Sequence, residues 1–451
     1  MERIGAKDLT NGNPAKIILF YSIPILIGNI FQQLYSMVDT IIVGKYIGAD
    51  ALAAVGTTGP LNFLVLGFVG GLTGGFAVIT AQRFGAKDED GVRRSTATII
   101  ILSVILTVVI TALAVATTMP LLKLINTPEK IINDSYTYIV IIYLGIAATM
   151  LYNMVSCILR ALGDSKTPLY FLVVSSVLNI VLDLLFIINF GMGVAGAALA
   201  TVISQGVSGI LCLIYTKKKY TILHLSKKDF KWSTKFAWKH MSVGLPMAFQ
   251  FSITAVGVVI LQGALNLFGE TYIAAYTAAS KVEQLVTQPA NTFGVTMANY
   301  AGQNLGAGRI DRIKDGVRKS TIITLLFAVA AIILVYIFDE ALIGLFISDD
   351  EQNKVLLIEA AQQYLRLCSL FFPFLYMIFI YRNMLQGTGH GFMPLMAGVF
   401  ELVTRCAAAF TLPGFFGFKG ICIAGPLAWI AAAVPLGITY FITIKKMRRN
   451  Y

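Results

Sequence analysis

Residues 91–119 read GVRRSTATIIILSVILTVVITALAVATTM, and the run from Ser95 to Met119 contains no charged residue. A helix needs about 20 apolar residues to cross a bilayer, so this run is long enough to span one. Arg93 and Arg94 stand directly before the run, and basic residues are typical of cytoplasmic flanks. The stretch therefore predicts a membrane-spanning helix that starts on the cytoplasmic side.

Similar apolar runs follow one another along the whole chain. Of its 451 residues, 57% are hydrophobic and 13% are charged, whereas soluble domains carry about 25% charged residues. The composition excludes a soluble enzyme, a disordered regulator and a nucleic-acid-binding domain. We predict twelve spans, at approximately 15–43, 51–82, 95–119, 131–159, 168–190, 194–216, 241–268, 271–302, 320–343, 355–385, 394–414 and 420–444.

Positive charge is distributed unevenly about these spans. With both termini placed in the cytoplasm, 27 of the 35 lysines and arginines fall in inner segments, which include the inner ends of spans, and five fall in outer loops. Lys281, Arg366 and Arg405 lie in span interiors. This bias predicts a multi-pass protein of the cell membrane with both termini cytoplasmic. The net charge of +12 then reflects orientation and contact with membrane lipids, and we expect no nucleic-acid partner.

The sequence contains an internal duplication. GVRRST at 91–96 recurs as GVRKST at 316–321, and AQRFGA at 81–86 recurs as GQNLGA at 302–307. We predict an all-α membrane protein whose twelve helices form two six-helix bundles. Because six is even, both halves start on the same side of the membrane, an arrangement found in transporters. The predicted domains are an N-terminal lobe at 1–216, a cytoplasmic linker at 217–239 and a C-terminal lobe at 240–451.

The five cysteines are odd in number and scattered through apolar runs. This pattern predicts small buried side chains, and it lacks the spacing of a metal site or a disulfide framework. We expect no metal site and no catalytic residue.

Ionisable side chains inside a bilayer are costly and mark candidate functional sites. Asp39 in the first span and Asp183 in the fifth have no basic residue within a helical turn. Gln32, Tyr35 and Asp39 share one face of the first helix, and Asn179 shares a face with Asp183. Both stripes should face the interior of the N-terminal lobe, although polar packing between neighbouring helices remains an alternative.

The duplication makes the two aspartates more informative. Their counterparts in the second half fall near Leu261 and Ala409, so the carboxylates occur in one half only. This asymmetry favours a functional role over a scaffold role. Two buried carboxyls can exchange a proton, or hold Na⁺ with neighbouring oxygens. Pro24 lies inside the same first helix and should act as a hinge, because proline removes one backbone donor.

The C-terminal half carries weaker candidates. Glu401 and Arg405 lie four residues apart and can pair on one helix face. The pair serves either structure or transport, and its sequence spacing fits both roles. Glu283 is a second, isolated carboxylate in this half.

The order of these motifs resembles the multidrug and toxic compound extrusion (MATE) family of cation-coupled antiporters. The resemblance covers the whole chain and rests on YSMVDT at 35–40, ALGDSKTP at 161–168, and the Gln-x-x-Gly-Ala segments that begin at Gln82 and Gln303. It implies a monomer built as a V-shaped pair of bundles with alternating access. Such a protein exports amphipathic, often cationic organic compounds against inward flow of H⁺ or Na⁺, and needs no other cofactor.

The resemblance also implies roles for individual residues. Ion coupling is implied for Asp39, Asp183, Asn179 and Thr201. Substrate binding in the same lobe is implied for Gln32, Tyr35 and Asn153. Other branches of the family carry carboxylates in the seventh and tenth helices, where this chain has LPMAFQ at 245–250 and an apolar stretch near Leu375.

Two alternatives remain. A lipid-linked saccharide flippase of the same superfamily would need several cationic side chains facing its cavity. An intramembrane enzyme would need a nucleophile with a base, or a metal cluster. The three histidines, His224, His240 and His390, are predicted to lie at or outside helix ends, which disfavours an enzyme.

Overall fold

The computed structural model describes residues 7–347 and 353–450. These residues form helices joined by short turns, and none of them belongs to a β-strand, as the all-α prediction requires. The two chain ends whose cytoplasmic location was predicted, residues 1–6 and 451, lie outside the described part.

Eight α-helices make up the first half. They are α1 (Pro14–Tyr46), α2 (Ala49–Thr57), α3 (Gly59–Gly85), α4 (Glu89–Leu124), α5 (Glu129–Leu144), α6 (Ile146–Ala161), α7 (Lys166–Leu184) and α8 (Gly193–Lys219). Nine make up the second half. They are α9 (Thr234–Leu265), α10 (Glu270–Val286), α11 (Gln288–Gly306), α12 (Ile310–Gly344), α13 (Lys354–Ser369), α14 (Phe372–Gly387), α15 (Phe392–Thr411), α16 (Pro413–Phe416) and α17 (Phe418–Asn450).

The helices correspond to the twelve predicted spans, but some spans are broken. Among the described residues, nine helical stretches are long and apolar enough to cross a bilayer singly. The pairs α5–α6 and α13–α14 supply two more, bent by 47° and 51°. The remaining predicted span, 271–302, corresponds to α10 and α11, which meet at Thr287.

The bends have local causes. At Gly145, between α5 and α6, an added Cβ would lie 2.3 Å from the side chain of Val202, so only glycine lets α8 approach this closely. Pro373 stands in the first turn of α14, where its missing N–H is tolerated and a new helix can begin.

The described chain packs as two compact units. The first contains residues 7–12, 19–252 and 302–308, and the second contains 13–18, 253–301, 309–347 and 353–450. Helix α9 belongs to the first unit as far as Ser252. The lobe boundaries at 216 and 240 and the assignment of six helices to each lobe stay predictions.

Small residues allow close helix packing in the first unit. A Cβ at Gly71 would lie 2.6 Å from the backbone of Ala248, and one at Gly75 would lie 2.5 Å from the backbone of Gly244. Gly71 and Gly75 are four residues apart on α3, and Gly244 and Ala248 are four residues apart on α9. A small-xxx-small stripe on one helix therefore faces another on the other helix. In lipid, such stripes hold helices together through van der Waals contact.

Large apolar side chains fill the rest of this unit's interior. One buried cluster contains Leu72 and Phe76 of α3, Ile99 of α4, Leu159 of α6 and Cys212 of α8. All five cysteines of the chain are free, and they are buried or half-buried, as predicted.

Candidate functional site

The two aspartates singled out in the sequence meet in the first unit. Asp39 lies near the end of α1 and is half-buried, whereas Asp183 lies near the end of α7 and is fully buried. Their carboxyl groups lie close enough for their charges to interact. Directly after Asp183 the helix widens into a π-helical turn, Leu185–Asn189, a distortion frequent at functional sites.

The oxygens of this pair lack ordinary donors. Asp39 Oδ1, both carboxylate oxygens of Asp183 and Asn179 Oδ1 are buried without a hydrogen-bond donor among the described residues. Two ionised carboxylates close together in a buried site repel each other, which favours a shared proton or a bound cation.

The remaining members of the predicted ion site come from α7 and α8. Asn179 stands one turn before Asp183, and its Nδ2 lies 3.5 Å from Thr201 Oγ1. The Thr201 hydroxyl donates to the Ala197 carbonyl at 3.1 Å, so its lone pairs remain available as acceptors. The structure thus brings all four predicted ion-site residues, from three helices, into one cluster.

The predicted substrate-binding residues occupy different positions around this cluster. Tyr35 is half-buried and lies near the side chains of Gln32 and Gln205. Gln32 is exposed on α1, and Asn153 is half-buried on α6. Tyr35 also lies close enough to Asp39 for their charges to interact.

Sequence reasoning missed two residues of the site. Tyr138, buried on α5, lies within electrostatic reach of both Asp39 and Asp183. No motif marked it, because its contact depends on how α5 packs against α1 and α7. Gln205 could have been found, since it follows Thr201 by four residues and therefore shares its helix face.

The predicted hinge residue lies within a continuous helix. Pro24 is buried inside α1, which runs unbroken from Pro14 to Tyr46. Its ring nitrogen cannot donate to the carbonyl of Phe20, so the helical ladder lacks one bond at this point. Pro246 interrupts the ladder of α9 in the corresponding way.

The second unit contains a buried ion cluster. The predicted pair forms, with Arg405 Nη2 2.7 Å from Glu401 Oε1. Arg382 of α14 adds a third member, with its Nη2 3.3 Å from Glu401 Oε2. The Arg382 side chain is only 7% exposed.

Three other charged residues of the predicted spans in this unit also have partners. Glu283 accepts a 2.7 Å hydrogen bond from the Tyr364 hydroxyl, and Arg366 pairs with buried Asp339. Lys281 places its ammonium 5.7 Å from the ring centre of Phe346.

One histidine contradicts the sequence prediction. His240 lies inside α9 and is fully buried, not at a helix end. Its Nε2 contacts Ser95 Oγ at 2.8 Å and its Nδ1 contacts the Phe236 carbonyl at 2.9 Å. The Ser95 hydroxyl also contacts Thr80 at 2.8 Å. A serine and a histidine therefore touch, but both are sealed from solvent and the imidazole is oriented by a backbone carbonyl.

Comparison with known proteins matches both halves of the chain. The family model described as MatE matches residues 24–185 and, separately, 246–411. The probable multidrug resistance protein YpnP of Bacillus subtilis is 30% identical over 417 residues, which cover 92% of each chain. Crystal structures of MATE in the straight and in the bent conformation each superpose with a TM-score of 0.89 at 26% identity, covering 98% of both chains.

Proposed function

This chain belongs to the MatE family of membrane proteins, and from that premise we propose that it is a cation-coupled antiporter that exports small organic compounds. We assign its cargo to amphipathic, often cationic molecules, and place both chain termini in the cytoplasm because the basic residues concentrate on that side. The observation that supports the proposal is the proximity of two buried carboxyls, Asp39 and Asp183, whose oxygens lack hydrogen-bond donors among the described residues, because such a pair favours binding of a positive ion.

The ion-binding step follows from the charges in the pair. When both carboxyls are ionised, their repulsion in a poorly hydrated site favours uptake of H⁺ or Na⁺ from outside. Binding neutralises the pair and removes this repulsion. Release of the ion to the cytoplasm restores it, so the pair can alternate between two states with different preferred geometries.

The first helix can pass this change to the rest of the protein. Asp39 and Pro24 both lie on α1, and the missing backbone bond at Pro24 is its weakest point. Neutralisation of the pair lets α1 bend there, and the bend favours release of cargo to the outside. Similar MATE structures exist in a straight and in a bent conformation.

A lipid-linked saccharide flippase is less well supported. It would need unpaired cations for a pyrophosphate group. In the second unit Arg382 and Arg405 both bind Glu401, and Arg366 binds Asp339. These guanidinium groups are already committed to carboxylates, so the exporter function fits the charges better.

The proposal can be tested with purified protein in vesicles loaded with a fluorescent cationic dye. Dye efflux is measured under an imposed pH gradient and then under a Na⁺ gradient, which also identifies the coupling ion. Asp39→Asn should abolish gradient-driven efflux while the protein still inserts. The matched control is Asp134→Asn, since Asp134 is an exposed carboxylate of α5 in the same unit. Normal efflux by Asp39→Asn would refute the mechanism.

A further inference from the structure

The segment from the end of α8 to the start of α9 combines strong positive charge with exposed aromatic rings. Residues 217–239 contain one acidic residue, Asp229, and eight lysines: Lys217, Lys218, Lys219, Lys227, Lys228, Lys231, Lys235 and Lys239. Seven of the eight lysines are exposed, the exception being half-exposed Lys219. This density of charge exceeds what is needed to orient one loop.

The single acid of the segment is engaged locally. Asp229 accepts hydrogen bonds from the backbone N–H of Ser226 at 2.7 Å and from its hydroxyl at 2.8 Å. The backbone hydrogen bond in particular lowers the pKa of Asp229, so it stays ionised and held in this turn. The lysines therefore face outward without a mobile acidic partner inside the segment.

Aromatic side chains lie among these lysines. Phe230, Trp232 and Trp238 are 40%, 50% and 66% exposed. Rings of this kind are enriched where a protein meets lipid headgroups, because they have an apolar body and a polarisable or polar edge. The chain has three tryptophans, and Trp429, the third, is only 5% exposed.

The position of the segment relative to the membrane follows from the end of α8. Ile210, Leu213 and Ile214 near the end of α8 are exposed and apolar, as expected of residues that contact lipid tails. Lys217 and Lys218 follow within one turn, a rise of about 5 Å. The lysines therefore lie where the apolar surface of α8 gives way to the headgroup layer.

The start of α9 continues this surface. Lys235, Trp238 and Lys239 are exposed, whereas Ala237 and His240 are buried against the first unit. The exposed face thus presents two ammonium groups and an indole ring. Such a face matches an anionic headgroup above an acyl chain.

We propose that residues 217–239, the basic aromatic surface, bind the headgroups of anionic phospholipids in the cytoplasmic leaflet. The lysines contact the phosphates, and the rings of Phe230, Trp232 and Trp238 rest at the boundary between headgroups and acyl chains. An acidic soluble protein would match the charge. Such a protein would not explain why aromatic rings are exposed among the lysines, or why the segment lies directly beyond the lipid-contacting face of α8.

Tryptophan fluorescence provides a direct test with the full-length protein. A Trp429→Phe variant retains only Trp232 and Trp238 as reporters. It is reconstituted in vesicles of phosphatidylcholine and phosphatidylglycerol in which brominated acyl chains, which quench tryptophan, are attached to one lipid type at a time. At equal mole fractions of brominated lipid, we expect stronger quenching by brominated phosphatidylglycerol than by brominated phosphatidylcholine.

The chain offers a matched pair of charge-removing variants. Lys235→Gln with Lys239→Gln removes two exposed charges four residues apart at the start of α9. Lys314→Gln with Arg318→Gln removes an equivalent exposed pair at the start of α12. The first variant should bring the ratio of the two quenching signals toward one, while the second should leave it unchanged. About 1 M NaCl should also reduce the ratio, since it shortens the Debye length to about 3 Å.

Equal quenching by the two brominated lipids would overturn the proposal and leave an acidic soluble partner as the better candidate. Equal effects of the two charge-removing variants would overturn it as well. If Trp429→Phe fails to fold, subtracting the signal of a Trp232→Phe, Trp238→Phe variant from that of the unmodified protein gives the same ratio. The measurement does not depend on transport, so its outcome is separate from that of the dye-efflux test.

Discussion

Gly306 packs directly on the backbone of Gln82. An added Cβ at Gly306 would lie 1.8 Å from the Gln82 carbonyl oxygen, and one at Gly85 would lie 1.9 Å from the Gln303 carbonyl oxygen. The contact is therefore reciprocal, with the glycine of each repeated Gln-x-x-Gly segment facing the glutamine of the other. Both segments belong to the first unit.

Substitution of these glycines should destabilise the protein. Gly306→Ala and Gly85→Ala each force a methyl group into a backbone carbonyl, and we expect a loss of about 1–3 kcal/mol, the usual cost of overpacking. Thermal unfolding in detergent measures the effect. Gly344→Ala is the matched control, because Gly344 also ends a helix but an added Cβ there meets nothing within 4 Å. Equal melting temperatures for Gly306→Ala and Gly344→Ala would contradict the contact.

The sequence alone predicted contacts between residues on the same helix better than contacts between helices. The pairing of Glu401 with Arg405 followed from their spacing, because residues four apart share a helix face. Arg382 joins the same carboxylate from another helix, so no spacing rule could predict it. The repeated glutamine and glycine segments were visible as a duplication, but their mutual contact was not.

The same limit applies to the candidate ion site. Polar stripes on two helices identified Asp39 and Asp183, because an unpaired charge in a span is costly whatever the fold. Tyr138 was not singled out, and His240 was predicted at a helix end, because neither side chain carries such a cost when it is neutral. Their importance depends on which helices pack together, which hydropathy does not specify.

The carboxyl pair predicts an unusual response to pH. In Asp183→Asn the new amide can donate a hydrogen bond to Asp39 without a shared proton. We expect this variant to melt at a higher temperature than the unmodified protein at alkaline pH, where the pair loses its proton and the two charges repel. The difference in melting temperature between the two proteins should shrink as the pH falls, because the carboxyl pair of the unmodified protein then binds a proton again. Melting curves across a pH series in Na⁺-free buffer check this.

Asn179→Ala is the companion measurement for the carboxyl pair. It removes a neighbouring oxygen but leaves both carboxyls in place, so the melting temperature should keep its dependence on pH. A flat pH profile for the unmodified protein would show that Asp39 and Asp183 do not share a proton.

The buried cluster of the second unit predicts a large loss of stability when one of its charges is removed. Glu401→Gln leaves Arg382 and Arg405 close together without their common counter-charge, and we expect a loss of about 3–5 kcal/mol. Lys130→Met breaks the ion pair between Lys130 and Asp50, whose side chains are 75% and 61% exposed, respectively. This variant should lower the free energy of unfolding by about 1 kcal/mol or less. Unfolding in detergent compares the two, and similar costs would contradict the burial of the cluster.

The last prediction concerns Pro24. Pro24→Ala restores a backbone donor one turn after Phe20, so α1 regains its missing hydrogen bond and becomes stiffer at that point. If bending of α1 couples ion binding to export, this variant should be at least as stable as the unmodified protein but export dye more slowly under the same gradient. Pro120→Ala is the control, because Pro120 also lies inside a helix, near the end of α4, and has no link to Asp39. Slower export by both variants would indicate a general effect of removing prolines, and full activity of Pro24→Ala would show that α1 does not need to bend there.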